Sequence, residues 1–99
     1  MPYTARFHPL VEKDYAEAYE WYEDRSTGLG DRFLIAVREK IEKIAAHSEV
    51  YSSKGRNKYR EAIVENFPFI IVFKIYRRKQ EIFISSIHHA KKHPKSKYR

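Results

Sequence analysis

The chain contains no cysteine, which excludes disulfides, thiolate zinc sites and cysteine nucleophiles and fits a reducing compartment. Three glycines and four prolines among 99 residues leave little room for long irregular segments. One compact domain over residues 1–99 is expected, large enough for one hydrophobic core and too small for a second. No apolar run approaches the roughly 20 residues that span a bilayer, and the first residues lack the basic-then-apolar pattern of a secretory signal. A soluble cytoplasmic protein that does not engage membranes is expected. Without cross-links, its stability must come from packing.

Acidic charge is scarce in one half only. Residues 1–50 hold seven Lys/Arg and ten Asp/Glu, a balance of 7 − 10 = −3, whereas residues 51–99 hold thirteen and three, a balance of 13 − 3 = +10. The overall +7 is thus concentrated in the second half. Such a field attracts phosphate backbones or acidic proteins, with a strength that falls as salt rises. The plainer alternative is lysine retained for solubility, and the clustering argues against it.

Apolar periodicity sets out the elements. Tyr3, Ala5 and Phe7 alternate with polar neighbours as in a short strand. From Leu10 to about Arg25, Val11, Tyr15, Ala18 and Tyr22 recur at helical spacing, after Pro9 in a position that suits a first turn. Gly28-Leu29-Gly30 breaks this helix, and a second is expected from Asp31 to about His47. Its stripe is Leu34, Val37, Ile41 and Ile44, flanked by Phe33 and Ala45. So short a turn makes the two helices a hairpin. Residues 48–58 read as a polar loop. A strand follows from Tyr59 through Ala62 and Val64, a turn at residues 66–68, then the run from Phe69 to Tyr76, long and apolar enough to be a central strand covered on both faces. After the turn at residues 77–80, a last strand through Ile82, Ile84 and Ile87 puts Ser86 and His88 on one face and Ser85 and His89 on the other. Residues 91–99 are a basic tail, either a mobile end or a phosphate-contacting arm. The order β-α-α-β-β-β predicts an α+β fold, an antiparallel sheet backed on one face by an N-terminal helical hairpin, its other face partly open.

The residues then resemble the RelE/ParE family of toxins from bacterial type II toxin–antitoxin systems. The likeness runs through Ala18, Trp21 and Tyr22, the Gly28-Leu29-Gly30 connector, Phe33, the Phe67-Pro68-Phe69 step, and Ile87-His88-His89 leading to Lys91-Lys92-His93-Pro94. It implies a growth-inhibiting toxin of the plasmid-stabilisation type, silenced by a cognate acidic antitoxin whose C-terminal segment wraps around it, alone, as a homodimer or in a larger assembly with that antitoxin. Two activities exist in the family: ParE-like members inhibit DNA gyrase, and RelE-like members cleave messenger RNA on the ribosome. Cleavage beside a 2′-hydroxyl needs a base, an acid and cations on the phosphate, for which Arg60, His89 and Lys58 are the catalytic candidates. Histidine titrates near neutrality, and an arginine clamps phosphate through two parallel hydrogen bonds. Lys54, Arg56, Arg77, Arg78, Lys91 and Lys92 are candidates for holding nucleic acid or an acidic partner. RelE-like sequences carry an arginine in the strand after the proline-aromatic step, and Ile70 stands there in this chain. That departure favours the ParE-like reading, with a metal-independent endoribonuclease as the alternative and a non-toxic nucleic-acid-binding module as a second. No cofactor is expected. His88, His89 and His93 lack a suitably spaced carboxylate for a metal site.

The aromatic residues Tyr15, Tyr19, Trp21 and Tyr22 can be read as a base-stacking platform or, at helical spacing, as core. Core packing is the better reading, with Trp21 off the main stripe and suited to a protein interface.

Overall fold

The computed structural model describes residues 3–54, 58–91 and 98. In chain order it has β1 (Thr4–Phe7), α1 (Val11–Arg25), α2 (Leu29–His47), a short 3-10 turn (Ser48–Val50), β2 (Ser53–Lys54), β3 (Tyr59–Ile63), β4 (Phe69–Tyr76) and β5 (Glu81–His89). The α+β architecture expected from the sequence is present, with α1 and α2 packed on one face of a sheet ordered β1-β5-β4-β3-β2. Two details differ. β1 pairs with β5 in parallel, so the sheet is mixed rather than wholly antiparallel. A parallel neighbour needs a long intervening connection, and the whole chain between β1 and β5 supplies it. The segment expected to be loop also contributes β2, whose two residues pair with Arg60 and Tyr59.

Both helices follow from local chemistry. Leu10 N–H donates to His8 Nδ1 at 3.1 Å and Val11 N–H to the His8 carbonyl at 3.0 Å, so the chain before α1 supplies acceptors for donors near its start. Glu12 and Asp14 lie in its first turn, where the helix dipole favours negative charge. α2 begins at Leu29, two residues ahead of Asp31, because Gly28 takes the left-handed conformation at φ 88° and turns the chain directly into the helix. Its buried stripe is Phe33, Val37, Ile41 and Ile44. Phe33 occupies the place expected for Leu34, which is only half-buried, since spacings of four, four and three from residue 33 keep one face aligned on the sheet.

The core forms where that stripe, with Val11, Ala18 and Tyr22 of α1, meets Ala62, Phe69, Ile71, Phe73, Ile82, Ile84 and Ile87 of the sheet. Phe33, fully buried, stacks against Phe69 at 4.9 Å and against Tyr22 and Phe67, each at 5.4 Å. Edge-on contacts at these distances add to the area that the rings bury. Ile84 and Ile87 are three apart yet both face the helices. A register shift opposite Val72/Phe73 explains this: Val72 pairs with Ser86 and Phe73 with Ile84, leaving Ser85 as the extra residue of a bulge. Asp14 fixes α1 to this part of β5, its Oδ2 accepting the Ile87 N–H at 3.0 Å.

β4 is central and covered on both faces, as its composition predicted. Phe69, Ile71 and Phe73 point to the helices, and Val72 on the opposite face is also fully buried. On that second face Ser86 and His88 are buried as well. The middle of the sheet is therefore less open than the sequence suggested. Tyr98 also lies on this side, against Tyr59.

Gly30 marks the tightest approach between the helices. A methyl group there would lie 2.8 Å from Glu23 Cγ and 2.8 Å from the Tyr19 ring, and Glu23 accepts the Gly30 N–H at 2.9 Å. Alanine in a helix interior is ordinarily favoured over glycine by about 1 kcal/mol. Overpacking of about 1–3 kcal/mol and displacement of Glu23 outweigh it here. Gly30→Ala should thus lower the midpoint of chemical denaturation, and an unchanged or raised midpoint would show that the hairpin accommodates the methyl.

Candidate functional site

The candidate residues fall into two groups at opposite ends of the sheet. Lys58, Arg60, Arg77 and Arg78 lie at the end that carries the β2–β3 connection and the β4–β5 turn. His89 and Lys91 lie at the other end, beyond the pairing of Phe69 with His89. Arg60 is paired with Phe73 and shares the helix-facing side with Ala62. His89 is on the same side but four residues along and two strands away. Spacings of about 3.3 Å per residue and 4.8 Å per strand put their backbones roughly 16 Å apart. Strand register thus sets Arg60, with Lys58 beside it, apart from His89 in the sheet. Lys54 is in β2, opposite Tyr59. Arg56, Lys92 and the metal candidate His93 lie outside the described residues, and no metal-binding cluster occurs among the described ones.

Local contacts hold several of these residues. The Arg60 guanidinium donates to the Tyr51 carbonyl, holding the arginine against the segment that follows α2. Arg77 grips Glu49 with two prongs, Nε to Oε1 at 3.0 Å and Nη2 to Oε2 at 2.8 Å. Those hydrogen bonds hold the Glu49 carboxyl below the ordinary carboxylate range and push the Arg77 guanidinium higher. Lys58 is exposed, with a left-handed φ of 59°, and Arg78 is exposed in the β4–β5 turn. At the far end, His89 Nδ1 accepts the Lys91 N–H at 3.1 Å and its ring packs edge-on against Phe69 at 5.1 Å. An acceptor bond at Nδ1 leaves the proton of the neutral imidazole on Nε2, which makes the ring a donor. His88 is buried on the opposite face. Ile70, in the strand position where the resemblance expects an arginine, pairs with Ile63 and His88.

A marked concavity lies away from the basic end. A cleft of about 800 Å³ runs between α1 and the ends of β4 and β5, floored by Ala18, Tyr22, Phe69 and Ile87 and rimmed by Lys13, Glu17, Trp21, His89 and Lys91. Trp21 is half-exposed at its edge. The Arg25 guanidinium lies 3.2 Å from the Trp21 ring centroid, and Arg25 Nη1 also donates to the Trp21 carbonyl at 3.1 Å. A cation one helical turn away thus covers one face of the indole. The spacing of four between Trp21 and Arg25 was the available sequence signal for this feature. The cleft itself was not readable, because the ends of β4 and β5 that wall it are distant in sequence from α1.

Charge at the basic end responds to Glu49. Because its carboxyl is lowered, the Arg77–Glu49 pair is intact above the ordinary carboxylate range and is lost as pH falls through the lowered value. Both side chains are exposed, so the pair contributes little stability and mainly masks one cation. Glu49→Gln should make the protein elute from immobilised heparin at higher salt, with the logarithmic salt dependence steeper by about one contact. Unchanged elution would place Arg77 outside the polyanion-binding surface.

Comparison with known proteins agrees with this fold. No curated protein sequence matches the chain. Among solved structures, one titled as a chromosomal ParDE toxin–antitoxin system from P. aeruginosa is similar with a TM-score of 0.77 at 14% identity, covering 90% of this chain and 97% of that one. A RelBE toxin–antitoxin complex from Mycobacterium tuberculosis gives a TM-score of 0.65 at 18% identity, covering 90% and 99% of the two chains. A doubly substituted E. coli RelE toxin in the free state gives 0.69 at 15%, covering 92% and 86%. At these identities the structures establish the fold. The family model described as the ParE toxin of the type II toxin–antitoxin system, parDE, matches residues 5–94, and with nearly the whole chain inside that match, the protein belongs to the ParE toxin family.

Proposed function

We propose that this toxin arrests growth by inhibiting DNA gyrase in the cytoplasm, in the manner of ParE, and not by cutting messenger RNA. The observation that carries this reading is the separation of Arg60 from His89. Hydrolysis through a 2′-hydroxyl needs its base, acid and phosphate cations converging within hydrogen-bond reach of one phosphate. Here Arg60 is engaged by Tyr51, His89 stands two strands away with Nδ1 occupied, and Ile70 offers no charge. The match to the ParE description supports the same choice. Inducing the chain in a bacterial host should halt growth, leave messages intact in primer extension, and change plasmid topology. An Arg60→Ala, His89→Ala double variant should stay toxic. Codon-phased cuts in messages, abolished in that variant, would establish the ribonuclease instead.

The partner on this reading is an acidic antitoxin, as the paired chains named in the similar structures suggest. The cleft beside α1 supports an apolar segment of it as occupant, with Trp21 as the anchor. A half-exposed aromatic residue beside an apolar floor is the arrangement in which single residues dominate binding. Trp21 is the only tryptophan, so its fluorescence reports the site directly. Emission should shift to the blue when antitoxin binds, and Trp21→Ala should weaken the complex by about tenfold or more. A complex that forms with no change in emission would move the antitoxin to another surface.

A further inference from the structure

The outer face of α2 is uncovered by any described element. Arg32, Ile35 and Glu39 recur at spacings of three and four and so share one stripe of the helix, opposite the buried stripe of Phe33, Val37, Ile41 and Ile44. Ile35 is 55% exposed, and Arg32 and Glu39 are exposed with it. Beside the stripe lies a groove of about 530 Å³ between α2 and the turn at Glu65, Asn66 and Phe67, with Leu29, Ala36 and Phe67 among its apolar residues. The other charges of the groove are committed to each other: Lys40 donates to Glu65 at 2.8 Å and, with Lys43, holds that carboxyl below the ordinary carboxylate range. The side chains of Arg32 and Glu39 have no hydrogen-bond or ion-pair partner among the described residues.

This face is complementary to itself. At 3.6 residues per turn, Ile35 and Ala36 point about 100° apart around the helix, one to either side of the line through Arg32 and Glu39. A two-fold axis between residues 35 and 36 reverses the direction of the helix and exchanges its two flanks. The exposed Ile35 of a second copy then comes to lie over Ala36 at the mouth of the groove, and the second copy's Arg32 lies over Glu39, with the reciprocal contacts made in return. Charge selects this centre. An axis at residue 39 would set two Glu39 carboxylates against each other, and one between residues 37 and 38 would set Arg32 against Lys43, both of which are repulsive. The small side chain of Ala36 at the crossing lets the helices approach to about 8–10 Å. An acidic peptide or a nucleic acid laid along the same stripe would meet Glu39, so a second copy suits it better than either.

We infer that two copies of this chain associate through α2, antiparallel about an axis between Ile35 and Ala36, with Ile35 of each entering the groove of the other and two Arg32–Glu39 pairs flanking the crossing. A helix pair with one adjoining turn is a small interface, of the class that forms transient dimers. It shares no residue with the cleft beside α1, and it is independent of the antitoxin site and cellular target proposed above.

Sedimentation equilibrium of the chain freed of other proteins tests this directly. The average mass should rise from one chain at about 2 µM toward two chains at about 200 µM. Arg32→Glu and Glu39→Arg should each weaken association by about tenfold or more, because each places like charges opposite one another twice. Mixed in equal amounts, these two variants should recover the dimer, since each then meets its opposite charge in the other. Circular dichroism melts would establish that both variants are folded. An unsubstituted chain that stays monomeric at about 200 µM overturns the proposal, as does a mixture no heavier than its separate components. Dimers that survive both single substitutions would place the contact elsewhere and overturn it equally. Loss of antitoxin binding in Arg32→Glu, with the unsubstituted chain monomeric, would assign the groove to that partner instead.

Discussion

Everything in this molecule rests on the burial of β4 from both sides. A strand that alternates Phe69, Ile71 and Phe73 toward the helices while setting Val72 into the opposite face can only be central, and a central strand fixes its neighbours on both sides. The helical hairpin is held by the aromatic group of Tyr22, Phe33, Phe67 and Phe69, which sits over one end of that strand. A chain without cysteine has no cross-link to substitute for this packing. The bulge at Ser85 belongs to the same constraint: without the extra residue, Ile84 and Ile87 would point to opposite faces and one of them would leave the core.

That frame also decides where charge can go. β4 itself contributes Lys74 alone, and the other described cations of the basic half stand largely at the ends of the sheet, in the turns and connections. Those ends are separated by the length of the strands. Among the described residues, the basic surplus of the second half therefore does not become one cationic face. It becomes a turn-end cluster, in which Glu49 from the acidic half occupies Arg77, and a second group around His89 and Lys91 beside an apolar cleft. The two groups suit different partners: repeated cations without an apolar floor fit a polyanion, whereas an apolar floor with a mixed rim fits a protein segment.

The legible parts of the fold were those set by local periodicity. Val11, Tyr15, Ala18 and Tyr22 announce α1, Leu34, Val37, Ile41 and Ile44 announce α2 with its face one residue off at Phe33, and the run from Phe69 to Tyr76 announces a buried strand. The parallel placement of β1 was not legible, since four residues with an exposed outer edge carry no signal for their partner's direction. Register was the other gap. Arg60 and His89 are both plausible as chemical groups, yet their distance depends on how β3, β4 and β5 align, and alignment is set by the bulge at Ser85, which two adjacent serines do not advertise. Glu49 and Tyr98 were overlooked for a related reason. Each acts through a partner distant in sequence, Arg77 in one case and Tyr59 with Glu61 in the other.

The sheet separates the cleft from the face on which Tyr98 lies. Residues 86–89 of β5 wall the cleft beside α1, whose floor is on the helix side of the sheet, while Val72, paired with Ser86, and Glu61, paired with Val72, lie on the side on which Tyr98 rests on Tyr59. An antitoxin segment in the cleft and the Tyr98 side chain on Tyr59 therefore belong to opposite faces of one sheet. Coupling between them would require β4 and β5 to have two arrangements of different energy. Close packing of Val72 on one side and Ile71, Phe73 and Ile87 on the other leaves those strands little freedom to shift. The physical expectation is two nearly independent faces, one offering the cleft to a partner chain and the other covered at Tyr59 by the side chain of Tyr98.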